Sequence, residues 1–279
     1  MAFQRKNWTL LRVFSSKTAI AIPVTFLILF VSMLGIISIT YYFSIEKVNA
    51  KSQTLKVSAA KQEFLSLDEA VLSSLWQTGS AQTLNFADAG GQLNVQPSEN
   101  SLLISVTDNQ NLNENIFNQT VGQIMYELPY SQSSDMGLYL KGNSQTITKD
   151  SGSVMTQLYI TRGLEHPEIM LRYRPEVSFA SFGMENNKPV TNVRIYVINL
   201  NSSTEIVSFG KLPIIISCVS TQLTKQTFEL SSQSNILSVH SNQNGINGQV
   251  SIPISSTPEG ATVNIETVLC NIQINRWIR

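Results

Sequence analysis

Charge is scarce in this chain, and so are the residues that usually carry chemistry. Only 14% of its 279 residues are charged, against about 25% in ordinary soluble domains. There are two cysteines, Cys218 and Cys270, and two histidines, His166 and His240. That is too few, too scattered, for a zinc site of ordinary type. No Gly-rich phosphate loop, Gly-x-Ser-x-Gly, His-Glu-x-x-His or acidic calcium loop occurs. The sequence therefore points to no catalytic residue, no metal site and no cofactor. Glu165-His166-Pro167-Glu168 is polar and dense, but reads as a solvated turn ahead of a strand.

Charge is wholly absent from Ala19 to Phe43, 25 residues without Asp, Glu, Lys, Arg or His. At 1.5 Å per residue this run spans roughly 37 Å of helix. A hydrocarbon core of about 30 Å needs ~20 apolar residues, so the run is long enough to cross with some tilt. It exceeds the 7–15 apolar residues, roughly, of a cleaved secretory signal. Tyr41 and Tyr42 stand at its edge, where amphipathic rings favour the headgroup level. Residues 1–18 hold four Lys/Arg and no acid, whereas residues 44–279 hold 15 Lys/Arg against 19 Asp/Glu. The net charge of zero hides +4 before the run and −4 after it. Basic flanks stay cytoplasmic, which predicts the N-terminus inside and residues 44–279 outside the cell membrane, with the lipid bilayer as first partner. Pro23 is compatible with a helix that starts near Ala19–Ile22, because first-turn N–H groups have no intrahelical partner.

Glycine and proline are missing between Lys47 and Gln77. Over that stretch apolar residues recur at Ile45, Val48, Leu55, Ala59, Phe64, Leu67, Val71, Leu72, Leu75 and Trp76, mostly three, four or seven apart. Such spacing marks one face of a helix. The expectation is one helix from about residue 20 to about 77, ended by Gly79. Phe64, Leu67, Leu72 and Trp76 should pack on the domain that follows.

After Gly79 short β-like runs alternate with turn signals. Candidate strands are 81–86, 92–96, 102–107, 122–128, 137–141, 154–161, 168–174, 193–199, 212–220, 225–230, 236–240, 249–254 and 263–277. Gly90-Gly91, Pro97-Ser98, Gly142-Asn143, Asn186-Asn187, Asn244-Gly245, Asn247-Gly248 and Pro258-Glu259-Gly260 punctuate them. The expected fold class is α+β: a long N-terminal helix, transmembrane then amphipathic, followed by a mainly antiparallel β-sandwich. The expected parts are a basic leader (1–18), a membrane span (19–43), its amphipathic continuation (44–78) and an extracellular β region (79–279). That region is one domain, or two dividing near 181–191.

Cys218 and Cys270 each sit in an apolar β run. An exterior location permits a disulfide, and two buried thiols acting as small apolar residues is the other reading. Asn118-Gln119-Thr120 and Asn201-Ser202-Ser203 match the N-glycosylation pattern on the expected outside. Arg172, Arg174 and Arg194 could form a basic stripe. With a net of −4 beyond the span, structural pairing suits them better than nucleic acid, which is not an expected partner.

The layout of basic leader, apolar helix with an early proline, amphipathic continuation and β domain resembles archaeal type IV pilin-like proteins. Lys17-Thr18-Ala19-Ile20-Ala21-Ile22-Pro23-Val24 is similar to that family's processing region. The stretch from Phe64 to Glu69 and on through Ser74–Ser80 resembles archaeal membrane-anchored pilin-like surface proteins. The resemblance covers roughly residues 1–108 and implies a prepilin-type peptidase as partner, cutting after Ala19, or after Ala21, to leave Ile20 or Ile22 first. It also implies packing with like or related pilin subunits in a surface filament, or adhesion. Thr18 stands where a second basic residue is usual, and Val24 where bacterial pilins carry Glu. These departures suit a minor pilin-like component, or an uncleaved anchored binding module, better than a main filament subunit.

Overall fold

The computed structural model describes residues 17–129, 136–149, 154–163 and 166–277, with side chains from Pro23 onward. Residues 1–16 of the expected leader and Glu165 lie outside the described residues. Helix α1 runs Lys17–Ser73. It begins before Ala19, so Pro23 lies inside the second turn and leaves one carbonyl of the turn before it without its helical donor. Its end also differs from expectation. Ser74 N–H bonds the Val71 carbonyl (3.0 Å) and Leu75 N–H bonds that of Leu72 (3.4 Å), tightening the last turn. Trp76, with φ 65°, then takes the left-handed conformation ahead of Gly79. The Ser80 hydroxyl holds the Ser74 carbonyl at 2.6 Å. The helix therefore stops at Ser73.

The chain divides into two compact units at Ser52/Gln53. The first is helix over all its described residues. The second comprises the last turns of α1 and fourteen strands: β1 (Ala81–Phe86), β2 (Gln92–Asp108), β3 (Asn113–Glu127), β4 (Tyr139–Lys141), β5 (Thr148–Lys149), β6 (Thr156–Arg162), β7 (Pro167–Tyr173), β8 (Glu176–Glu185), β9 (Lys188–Asn199), β10 (Ile206–Phe209), β11 (Leu212–Leu230), β12 (Ile236–Gln243), β13 (Ile246–Pro253) and β14 (Ala261–Arg276). One sheet has the order β1-β11-β14-β9-β8-β5, and the other β13-β12-β2-β3-β7-β6-β4 with β10 beside β2. The pairings are antiparallel except β14 with β9 and β5 with β8.

Several expected breaks are continuous strand. Pro97-Ser98 lies within β2, where a register shift between Gln96 and Asn100 absorbs the missing donor. Runs 212–220 and 225–230 are one strand, β11, with a bulge between Cys218 and Ser220. Asn247-Gly248 belongs to β13, the turn being Asn244-Gly245 with φ 51° and 80°. Positive φ at both turn residues matches the twist of a tight hairpin. Asn186-Asn187 does the same between β8 and β9 (φ 50° and 63°). Ser181 pairs with Thr191 across that hairpin, so residues 181–191 lie within one sheet.

Both sheets contribute to two buried clusters. One joins Leu93, Ile124 and Leu171 of the larger sheet to Ile214, Ile216 and Ile272 of the smaller. Val57, Ala60, Phe64, Leu67 and Val71 of α1 complete it. The other joins Ile104 and Val239 of the larger sheet to Val193, Ile195 and Val263 of the smaller. The α1 positions recur at three and four residues, one helix face. Full burial of each large member contributes about 1.5–3 kcal/mol. Phe64 also meets Phe86 and Tyr126 edge-on, at 5.8 and 6.0 Å between centroids.

Candidate functional site

Four features offer more than packing. The first is the uncovered part of α1. Every described side chain from Pro23 to Lys56 is exposed. An 18-residue window there has mean hydropathy 2.3 and none of it is buried. The helix is long and apolar enough to cross a membrane. Its hydroxyls turn inward on the helix itself: Ser32 bonds Leu29 O (2.9 Å), Ser38 bonds Leu34 O (2.8 Å), Thr40 bonds Ile36 O (2.8 Å) and Ser44 bonds Thr40 O (2.7 Å). Back-bonding of this kind lets a hydroxyl stand on an apolar surface. Lys17, Ala19, Ile20 and Ala21 lie in the first turns of α1, and their side chains fall outside the described ones.

The second is a carboxylate on the packed face of the same helix. Asp68 is fully buried. Its Oδ1 accepts from the hydroxyls of Thr156 (2.7 Å) and Tyr173 (3.0 Å), and its Oδ2 from Lys141 Nζ (2.5 Å). Burial, then the Asp68 charge and hydrogen bond, hold the Tyr173 hydroxyl well above its usual pKa. A buried anion is tolerable only when paired and hydrogen-bonded, and here three strands supply the partners. The arrangement fixes α1 to β4, β6 and β7. The sequence did not single out Asp68; the 3–4 spacing of Phe64, Leu67 and Val71 around it was the available signal.

The third is the cysteine pair. Cys218 on β11 and Cys270 on β14 are free thiols, both buried, with their sulfurs 3.5 Å apart. Burial pushes the Cys270 thiol up to about 11, despite the Trp76 N–H that faces it.

The fourth is a cleft of about 920 Å³ lined by Gly142–Lys149, Val154, Arg174 and Asn247–Ser251. Arg174 is buried and serves as scaffold. Its Nε and Nη2 donate to Val154 O (3.0 and 2.8 Å), and its Nη1 to Gln145 O (2.9 Å) and to the Asn143 side chain. Gln157 Nε2 bonds the carbonyls of Asn143 and Gln145, both at 2.8 Å. The wall is thereby held in place; Asn143, Ser144, Gln145, Thr146 and Thr148 make it mostly neutral and polar, and Lys149 at its end donates to Ser251 O across the cleft (3.2 Å). Nothing local in the sequence announces this cleft, because its two walls are a hundred residues apart.

The remaining candidates do not converge. Arg172 donates to Gln157 Oε1 in the larger sheet (2.8 Å), and Arg194 lies in the smaller sheet, where it donates to its neighbour Glu266 (2.9 Å), so with Arg174 they form no stripe. Asn118 is exposed on β3. Asn201 is exposed in the turn after β9, while Ser203 of its triplet is buried and accepts the Ile274 N–H (3.0 Å). Gly163 N–H bonds the His166 carbonyl (3.0 Å) just ahead of β7. His240 meets the Thr107 hydroxyl at 2.9 Å on a neighbouring strand. Among the described residues no three His, Cys, Asp or Glu side chains form a group that could hold a metal ion. No protein-family model, curated protein or solved structure matches the chain.

Proposed function

We propose that this is a pilin-like surface structural protein, single-pass and N-in/C-out, displaying a β-sandwich outside the cell for filament assembly or adhesion. The observation that carries the reading is the division of α1: uncharged from Ala19 to Phe43 and uncovered from Pro23 to Lys56, then buried at Val57, Ala60, Phe64, Leu67 and Val71. The apolar part sits in the bilayer, or among related subunits once a prepilin-type peptidase has cut after Ala19 or Ala21. The packed part fixes the β domain to the helix through core contacts and the Asp68 network. Two sheets that share both buried clusters support the sandwich reading. The protein acts by contact and display, without catalysis, cofactor or nucleic acid. The experiment is mass spectrometry of the native N-terminus together with negative-stain imaging of expressing cells. A chain starting at Ile20 or Ile22, with filaments that vanish on Ala19→Asp, is the expected result. An intact residue 1–18 segment on cells without filaments removes the assembly claim.

The polar cleft between Gly142–Lys149 and Asn247–Ser251 favours a second reading, a permanently anchored extracellular binding module. An uncleaved leader together with loss of cell-surface binding on Gln249→Ala would select it.

A further inference from the structure

Three pieces of chain meet at the two sulfurs. Cys218 belongs to β11 at its bulge, where register passes from Cys218↔Ile272 to Thr221↔Cys270. Cys270 belongs to β14. The third piece is the connection from α1 to β1, and it meets both cysteines. Gly79 N–H bonds the Cys218 carbonyl (2.8 Å) and Cys218 N–H bonds the Ser80 carbonyl (3.0 Å), while the Trp76 N–H faces Cys270. With sulfurs 3.5 Å apart, closing to a bond of about 2.05 Å needs roughly 1.5 Å of movement. The chain has no other cysteine to compete.

We propose that Cys218 and Cys270 form an intramolecular disulfide that clamps the α1–β1 joint onto β11 and β14. The proposal rests on the exterior location of the β domain, where thiol oxidation persists. The co-reactant is a low-molecular-weight or protein disulfide. The Cys218 thiolate attacks it, releasing one thiol and leaving a mixed disulfide on Cys218. The Cys270 thiolate then displaces the second thiol. Two protein thiols become one disulfide, and the oxidant's disulfide becomes two thiols. With both thiols buried and Cys270 protonated in the finished fold, the bond closes while β11 and β14 are pairing and is sealed afterwards. Because Gly79 and Ser80 are tied to Cys218, and the bridge ties Cys218 to Cys270, force arriving along α1 enters two cross-linked strands.

The test uses the full chain from native membranes, denatured in N-ethylmaleimide. The expected result is no adduct on either cysteine, a mass about 2 Da below the dithiol, and two adducts after reduction. Protease added to intact cells reports in parallel whether the β domain is outside. Two adducts without reduction, on a domain that protease reaches, overturn the proposal. If protease does not reach the domain, the location reading fails and a second arm decides. Chain unfolded, reduced and refolded in oxidised glutathione should close the 218–270 bond, and glutathione adducts or free thiols there overturn it. The clamp itself is read by melting. The oxidised chain should melt roughly 10 °C above chain reduced and refolded in dithiothreitol. A Cys218→Ala/Cys270→Ala chain should melt at one temperature after either treatment. Equal melting of oxidised and reduced wild type overturns the clamp.

Discussion

Gly91 stands where no side chain fits. A Cβ there would lie 2.0 Å from the Glu127 carbonyl oxygen and 2.6 Å from Tyr126 Cε1. Its N–H also donates to the Tyr126 hydroxyl at 2.9 Å, anchoring one corner of the Phe64–Phe86–Tyr126 cluster. Gly91→Ala should therefore push β2 from β3 and cost about 1–3 kcal/mol, a melting temperature lower by roughly 3–10 °C. Gly35→Ala is the control, since nothing lies within 4 Å of that position and alanine favours helix; thermal melts of both decide. Glu168 shows the opposite sign. It faces Glu127 directly across β7 and β3, and burial, then the Glu127 charge, raises its carboxyl pKa. A raised folded pKa means that the ionised form opposes folding. The penalty is absent below the unfolded value of about 4.3 and complete above the folded one. Glu168→Gln should stabilise at pH 7 by a few tenths of a kcal/mol, solvent screening keeping it small, and change nothing near pH 3.5. Melts at the two pH values check it.

At the scale of elements, the union of α1 with the sheets depends on a stripe and a charge. The stripe was legible as 3–4 spacing, with Phe64, Leu67 and Val71 in the right phase, but the phase expected before them did not hold. Ala60 is buried and Ala59 exposed, because the face runs 57, 60, 64, 67, 71. Ile45, Val48 and Leu55 continue the apolar pattern yet stay exposed. The charge was not legible as buried. Asp68→Ala strands Lys141, Thr156 and Tyr173 and should cost about 3–5 kcal/mol, whereas Lys141→Met leaves the carboxylate two hydroxyl donors and should cost less. Both variants should lower the melting temperature in that order, and equal melting with wild type would show the network to be idle. Trp76, expected to pack on the domain, meets Tyr196 edge-on at 5.3 Å and remains partly exposed.

For the whole molecule, the proposed membrane reading makes its own demand. Val31 lies midway along the uncharged run and is exposed. Arginine at the centre of a span costs about 2.5–3.5 kcal/mol on insertion scales. Val31→Arg should shift the chain out of the carbonate-resistant membrane fraction, while Lys51→Arg, beyond the span, should not; unchanged partition of the first variant would count against lipid as the helix's partner. By itself the sequence determined the long apolar helix, the charge asymmetry about it, the packed face that follows, and a β-rich remainder whose Asn-Asn and Asn-Gly hairpins are local. Each depends on residues within a turn or two of one another, where periodicity and φ preferences act. Tertiary structure alone decided that Pro97 lies inside a strand, that Asp68 is buried on Lys141, Thr156 and Tyr173, that the two sulfurs meet, and that residues 142–149 face 247–251 across a cleft. Those partners lie tens to over a hundred residues apart, and strand order rather than local pattern brings them together.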